Sequence, residues 1–161
     1  MNIKDSTFLV TGGSAGIGKA TAKLLIEKGG KVAITGRDKS KLEKVAKEIN
    51  AFPIHADVAV ENDVHKTYEL FLKEFGKLDC LINNAGIGDA WNEITELEMK
   101  AFHNVYDVNV FGAALMASEA AKLFKKQKSG NIINIASTAG TKGFANGTVY
   151  SSSKFALRGM T

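Results

Sequence analysis

The 161-residue sequence has a single cysteine, Cys80, and one thiol cannot build a disulfide framework. It lies in the apolar run Leu78 to Ile82, fits a reducing compartment and reads as a core thiol. No apolar run is long enough to cross a bilayer, because the alanine-rich stretch from Ala113 to Phe124 is broken by Glu119 and Lys122. The polar start, Met1 to Ser6, has no signal-peptide core. A soluble, cytoplasmic protein without a membrane partner is expected. The three histidines, His55, His65 and His103, lie apart without ligand spacing such as H-E-x-x-H, so no metal is expected. Basic residues outnumber acidic ones, 21 to 17, but the lysines are mixed with glutamates. The one basic stretch, Lys122 to Lys128, has no interleaved aromatics and suits a helix C-terminus better than a nucleic acid.

With 45% hydrophobic residues, the chain can bury a substantial core. Short apolar runs alternate with longer segments of helical period, which predicts repeated βαβ units in an α/β fold. The strand candidates are Thr7 to Thr11, Lys31 to Thr35, Ala51 to His55, Leu78 to Asn83 and Asn131 to Ile135. Strands covered on both faces read as such continuous runs. The expectation is one domain over residues 1–161, a doubly wound parallel sheet of about five strands with helices on both faces. Leu42, Val45, Ala46 and Ile49 form one helical stripe, and Val64, Tyr68, Phe71, Leu72 and Phe75 another. Helices should stop at Gly29 and Gly76, and Thr95 with Glu98 spells a capping box before a long helical stretch reaching Lys126. Asn109 and Gly112 fall within that stretch, where a glycine costs about 1 kcal/mol relative to alanine, so a local distortion is expected.

Two motifs carry chemistry. Thr11-Gly-Gly-Ser-Ala-Gly-Ile-Gly18 follows the first strand and opens a helix, the place where backbone NH groups and the helix dipole receive a phosphate. Its spacing differs from G-x-G-x-x-G, so by itself it could be a tight turn with no ligand. It also falls one residue short of a P-loop, and Ala20 has no hydroxyl for Mg²⁺. The second motif is Tyr150-Ser-Ser-Ser-Lys154. Positions i and i+4 share one helix face, so the phenol and the ammonium can enter one cavity. A free phenol titrates near ~10, and a nearby cation favours its anion, which makes such a pair an acid and base.

Together these residues resemble the short-chain dehydrogenase/reductase family. The family pattern T-G-x-x-x-G-I-G matches Thr11 to Gly18, and Asp57-Val58 ends the third strand as in the family. Asn83-Asn-Ala-Gly86 matches its N-N-A-G turn, Gly130 to Ser137 its strand before the catalytic serine, and Tyr150-x-x-x-Lys154 completes the set. The resemblance implies a Rossmann-like dinucleotide-binding fold. Gly12, Ser14, Gly16, Ile17 and Gly18 would hold the pyrophosphate side of a nicotinamide dinucleotide, Asp57 and Val58 would lie near the adenine, and Asn84, Ala85 and Gly86 would line the middle. Tyr150 and Lys154 would act in catalysis and touch the cofactor, Ser137 would hydrogen-bond the substrate oxygen, and Asn109 would match the asparagine that positions a water in the proton path.

Cofactor choice is read at the end of the second strand, where an acid would accept bonds from a ribose 2′-OH and repel a 2′-phosphate. Gly36 and Arg37 stand there, and a guanidinium pairs with phosphate, so NADP is expected over NAD. The function expected is an oxidoreductase acting on a small-molecule carbonyl or alcohol; the alternative is a nucleotide-binding fragment without turnover. Family members continue beyond this point, so a partial form of a longer reductase is expected, leaving Ile132, Ile133 and Ile135 on an uncovered edge. Homo-oligomerisation through Ala113, Ala114, Ala117, Ala120 and Ala121 is expected of the full-length relative, with packing on the chain's own sheet the competing role. Gly88 to Thr95 and Thr138 to Val149 would form part of the substrate wall.

Overall fold

The computed structural model describes residues 2–88 and 91–161. Among them, five strands form one parallel sheet: β1 Thr7–Val10, β2 Lys31–Gly36, β3 Phe52–His55, β4 Cys80–Asn83 and β5 Asn131–Asn134, in the order β3-β2-β1-β4-β5. The order reverses between β1 and β4, and a ligand crevice is expected at such a switch point, beyond the carboxyl ends of the strands. The predicted strands are present, four of them trimmed by one or two residues and β2 extended by one to Gly36. Thr11 still donates its NH to Ile82 O at 3.0 Å, and its hydroxyl turns to the next loop.

Side-chain alternation along β1 sorts the core into two layers. Phe8 and Val10 pack with Ala22 and Leu25 of α1 (Gly16–Glu27) and with Leu42, Val45, Ala46 and Ile49 of α2 (Lys39–Ile49). Leu9 faces the other way, toward Val64, Tyr68 and Phe71 of α3 (Glu61–Phe75) and Met116 and Ala120 of α5 (Ala113–Gln127). Both predicted stripes thus face the sheet, although Leu72 and Phe75 stay outside the fully buried set. Cys80 is buried, and desolvation first, then the Asp79 charge, push its thiol up to about 11, so it is unreactive near neutrality.

Helix ends follow the local chemistry. Asp38 accepts from Lys41 NH at 3.0 Å to cap α2, and Gly76 closes α3 at φ +77°. The expected capping box is not formed. Thr95 lies in a 3₁₀ turn, Ile94–Glu96, closed by Glu96 NH on Glu93 O, and Glu98 precedes α4 (Met99–Tyr106) with no side-chain cap. Thr95 sits inside that i→i+3 turn and not at the N-terminus of α4, which begins three residues after the turn's end.

The expected distortion is a six-residue π segment, Asp107–Gly112, between α4 and α5. A Cβ on Gly112 would lie 2.8 Å from Val58 Cγ2 and 2.9 Å from Val58 O, so glycine lets the helix pass close over the end of β3. Of the alanines considered for an interface, Ala120 packs in the chain's own core and Ala113 is buried. The outer strand, β5, leaves Ile133 46% exposed. No helix among the described residues is long and apolar enough to cross a membrane.

Candidate active site

Two adjoining clefts open at the switch point. A larger one of about 630 Å³ is walled by Gly12, Gly16, Ile17, Asn84, Ile87, Trp91, Ile135, Tyr150 and Lys154. A smaller one of about 270 Å³ is walled by Ser14, Gly36, Arg37, Asp57, Val58 and Val108. Gly12, Ala15, Ala85, Gly86 and Ile87 border both. The structure therefore groups the turn residues, the strand-end residues and the Tyr150–Lys154 pair around one continuous crevice.

The glycine turn is shaped by what surrounds it. Gly12 has φ +65°, and a Cβ there would come within 2.9 Å of Ala85 Cα; one on Gly18 would come within 2.4 Å of Asn84 Nδ2. Gly16, at φ +51°, faces open space, where a side chain would stand over the first turn of α1. No side chain caps that helix, and its first turn carries no acid, so its NH groups are left for an anion. The turn is tied to the loop after β4: Thr11 Oγ1 accepts from the NH groups of Asn84 and Ala85, both at 3.0 Å, and Asn84 Nδ2 donates to Thr11 O at 2.9 Å and Gly12 O at 3.2 Å. Gly12 to Gly16 also spells G-x-S-x-G, but no histidine is hydrogen-bonded to Ser14 among the described residues, so no hydrolase site is built. Among the described residues, His, Cys, Asp and Glu form no group of three or more that could hold a metal.

In the smaller cleft Arg37 extends to solvent, its side chain 60% exposed, with Nη1 4.0 Å from Asp57 Oδ2. Its carbonyl is bonded to the His55 ring at 2.8 Å. Asp57 is held by its own turn, with Ala59 NH on Oδ1 at 3.0 Å and its NH on Asp63 Oδ2 at 2.9 Å.

On the other side, α6 (Thr148–Gly159) carries Tyr150 and Lys154. The Lys154 ammonium lies 5.8 Å from the Tyr150 ring centre and donates to Ile135 O at 3.0 Å. Ile135 NH bonds to Asn83 O at 2.8 Å, so the end of the sheet positions the cation. Burial lowers the pKa of that ammonium from its ordinary value, since desolvation penalises the charged form. Asn109, fully buried in the π segment, accepts from Ile87 NH at 2.8 Å and donates to Ile87 O at 2.9 Å and Ser153 Oγ at 3.0 Å. Its side chain thereby joins the β4 loop to α6.

Ser137 stands one residue beyond the cleft-lining Ala136 and accepts from Ala139 NH at 3.1 Å, capping the 3₁₀ turn Thr138–Gly140. Accepting that bond leaves its own proton to donate. No hydrogen bond joins Ser137 to Tyr150 or Lys154 among the described residues. The contact between its turn and α6 is nevertheless close: a Cβ on Gly140 would lie 2.7 Å from Lys154 O, and Arg158 Nη1 donates to Gly140 O at 3.3 Å.

Sequence reasoning did not single out four participants. Thr11, Ser153 and Gly140 act through hydrogen bonds or close approach between segments far apart in the chain. Trp91 packs against Tyr150, with ring centres 5.7 Å apart. Thr11 is the first letter of the glycine motif, Ser153 lies between Tyr150 and Lys154, and Trp91 and Gly140 fall in the segments expected to form the substrate wall. Of the expected substrate wall, Asp89 and Ala90 lie outside the described residues.

Comparison with known proteins places this geometry. A family described as short chain dehydrogenase matches residues 6–161. An uncharacterised oxidoreductase of Listeria monocytogenes is 37% identical over 163 residues, covering 98% of this chain and 65% of that protein. The crystal structure of 3-ketoacyl-(acyl-carrier-protein) reductase from Brucella melitensis, complexed with NADH, superposes with a TM-score of 0.94 at 35% identity, covering 99% of this chain and 68% of that one. NAD⁺-bound xylitol dehydrogenase gives a TM-score of 0.93 at 32% identity, covering 100% and 64%. The chain thus spans about 65% of the length of the Listeria relative. It belongs to the short chain dehydrogenase family.

Proposed function

We propose that this chain binds NADP(H) and serves hydride transfer between it and a carbonyl or alcohol substrate. The carrying observation is that Tyr150 and Lys154 wall the same cleft as the glycine turn. The residues present fit a dinucleotide: the uncapped start of α1, the open space at Gly16 and the absence of acid from the first helical turn suit a pyrophosphate. Gly12, Ser14, Gly16, Ile17 and Gly18 would hold it, Asp57 and Val58 would flank the adenine, and Asn84, Ala85 and Gly86 would line the middle. When bound, the nicotinamide supplies or accepts the hydride.

In reduction, Tyr150 donates its phenolic proton to the carbonyl oxygen, and Ser137 hydrogen-bonds the same oxygen. In oxidation Tyr150 accepts the proton. Lys154, held by Ile135 O, favours the phenolate by charge and binds the cofactor as well. Asn109 holds the β4 loop against α6 and so keeps the proton path in register. Preference for NADP(H) rests on Gly36, where an acid would repel a 2′-phosphate, and on the exposed Arg37 guanidinium. The Asp57 carboxylate, 4.0 Å from that guanidinium, favours the competing NAD(H) reading, because it offers an acceptor where a phosphate would be repelled. A cytosolic setting is inferred from the lone buried thiol.

Titration with NADPH and NADH, followed by carbonyl-dependent NADPH oxidation, tests this reading. NADPH should bind more tightly and be consumed. Absence of dinucleotide binding overturns the proposal, and binding with no turnover across a carbonyl panel leaves only a nucleotide-binding module.

A further inference from the structure

The chain has one tryptophan, Trp91, and it stands half exposed (49%) in the wall of the larger cleft. Its ring meets Tyr150 at 5.7 Å between centres with planes 34° apart, within the range of a favourable aromatic pair. Two glycines make room for this contact. A Cβ on Gly147 would press within 2.9 Å of Trp91 Cζ3, and one on Gly88 would lie 3.3 Å from Tyr150 Cδ2 and 3.8 Å from Trp91 Nε1. Both neighbours of the indole are thus trimmed to backbone, and the indole lines the cleft with about half of its surface exposed.

The rest of the wall defines what can sit there. Among the described residues, Ile17, Ile87 and Ile135 are apolar, no carboxylate lines the cleft, and Lys154, the one cation, gives one of its protons to Ile135 O. A cationic substrate finds no carboxylate among the described residues, and Lys154 is taken up, in the proposed reaction, by the phenol and the cofactor, whereas a flat apolar ring finds an aromatic platform beside the phenol.

Building on the proposed carbonyl chemistry, we infer that Trp91 is a specificity-determining residue, a platform on which an uncharged carbonyl compound with an aromatic or conjugated ring stacks to present its C=O to Tyr150. The indole selects ring shape; Tyr150 acts on the oxygen.

Binding of 1-tetralone, a flat aryl ketone, and 2-octanone, an acyclic one, is measured by calorimetry in the presence of NADP⁺, which prevents reduction. Wild type, Trp91→Ala and Trp91→Phe are compared, with melting curves to establish folding. Loss of the ring should weaken 1-tetralone about tenfold and 2-octanone by less than about threefold, and Trp91→Phe should recover most of the loss. Equal weakening of both ketones, no weakening, or no binding of 1-tetralone to wild type overturns the platform. NADP⁺ titration of the same samples separates the two ideas. Retained NADP⁺ binding without ring preference sinks only the platform, and absent NADP⁺ binding sinks the reaction reading while the ketone titration still judges Trp91.

Discussion

The proposed nucleotide side and the proposed reaction side of the crevice are built by opposite means. Around the glycine turn the work falls to backbone: Gly12 and Gly18 leave no room for a Cβ, and Thr11 and Asn84 bind the turn to the loop after β4 through four hydrogen bonds. Across the cleft, side chains from the π segment, the Ser137 turn and α6 converge beside the edge strand β5. Substitutions on the first side should therefore act through binding and stability, and those on the second through turnover.

The largest expected effect tests the second half of that contrast. Tyr150→Phe keeps the ring against Trp91 and removes only the proton donor, so turnover should fall by about 10²- to 10⁴-fold. Dinucleotide affinity should stay within about threefold. Steady-state kinetics beside a binding titration check both, and near-wild-type turnover would remove Tyr150 from the mechanism.

Gly18→Ala asks the reverse question. The new Cβ would lie 2.4 Å from Asn84 Nδ2 and 2.5 Å from Gly12 O, neither of which can yield without disturbing the turn. A loss of about 1–3 kcal/mol in denaturant unfolding is expected, together with weakened dinucleotide binding. An unchanged protein would break the comparison, because the cradle would then tolerate side chains.

Asn109→Ala joins the two regions. It strips partners from Ile87 NH, Ile87 O and Ser153. A buried donor or acceptor left unpaired costs about 1–3 kcal/mol, so stability should drop by that order and turnover should follow as α6 loosens. Turnover lost at undiminished stability would instead assign Asn109 to the chemistry alone.

A smaller change is expected on the nucleotide side. Arg37→Ala should shift the NADPH-to-NADH affinity ratio about tenfold toward NADH, the lower range for a charge-assisted pair at an exposed site. An unchanged ratio, read by fluorescence titration, rules out the guanidinium as a phosphate ligand and favours the reading in which Asp57 meets a ribose hydroxyl.

The same division explains what the sequence made legible. Gly12, Gly16 and Gly18 could be read because a turn that forbids side chains writes itself as glycine, and Tyr150 with Lys154 because helical period brings them together. The five strands could be read because burial on both faces demands continuous apolar runs. The capping box misled, since Thr95 and Glu98 have the right spacing but a 3₁₀ turn claims the threonine. Trp91 on Tyr150 and Gly140 under Lys154 are contacts between distant segments, and no local pattern records them.

Lys154 offers the finest test, because the reaction side bears a buried charge that the nucleotide side lacks. Its residue is 5% exposed, and desolvation lowers its pKa from the ordinary 10.5. The unfolded chain therefore holds this proton more tightly than the fold does. Stability contributed by this group is greatest above pH 10.5, falls as pH drops from there to the folded value, and is constant below. Lys154→Met removes that dependence, so the difference between the two stability profiles reports the ammonium together with its hold on the Tyr150 phenol. The variant should show the flatter profile just below pH 10.5 in denaturant unfolding and should lose turnover at every pH. Identical profiles would mean that the ammonium is as well solvated in the fold as in the unfolded chain, and a solvated cation 5.8 Å from the ring would have little hold on the Tyr150 proton.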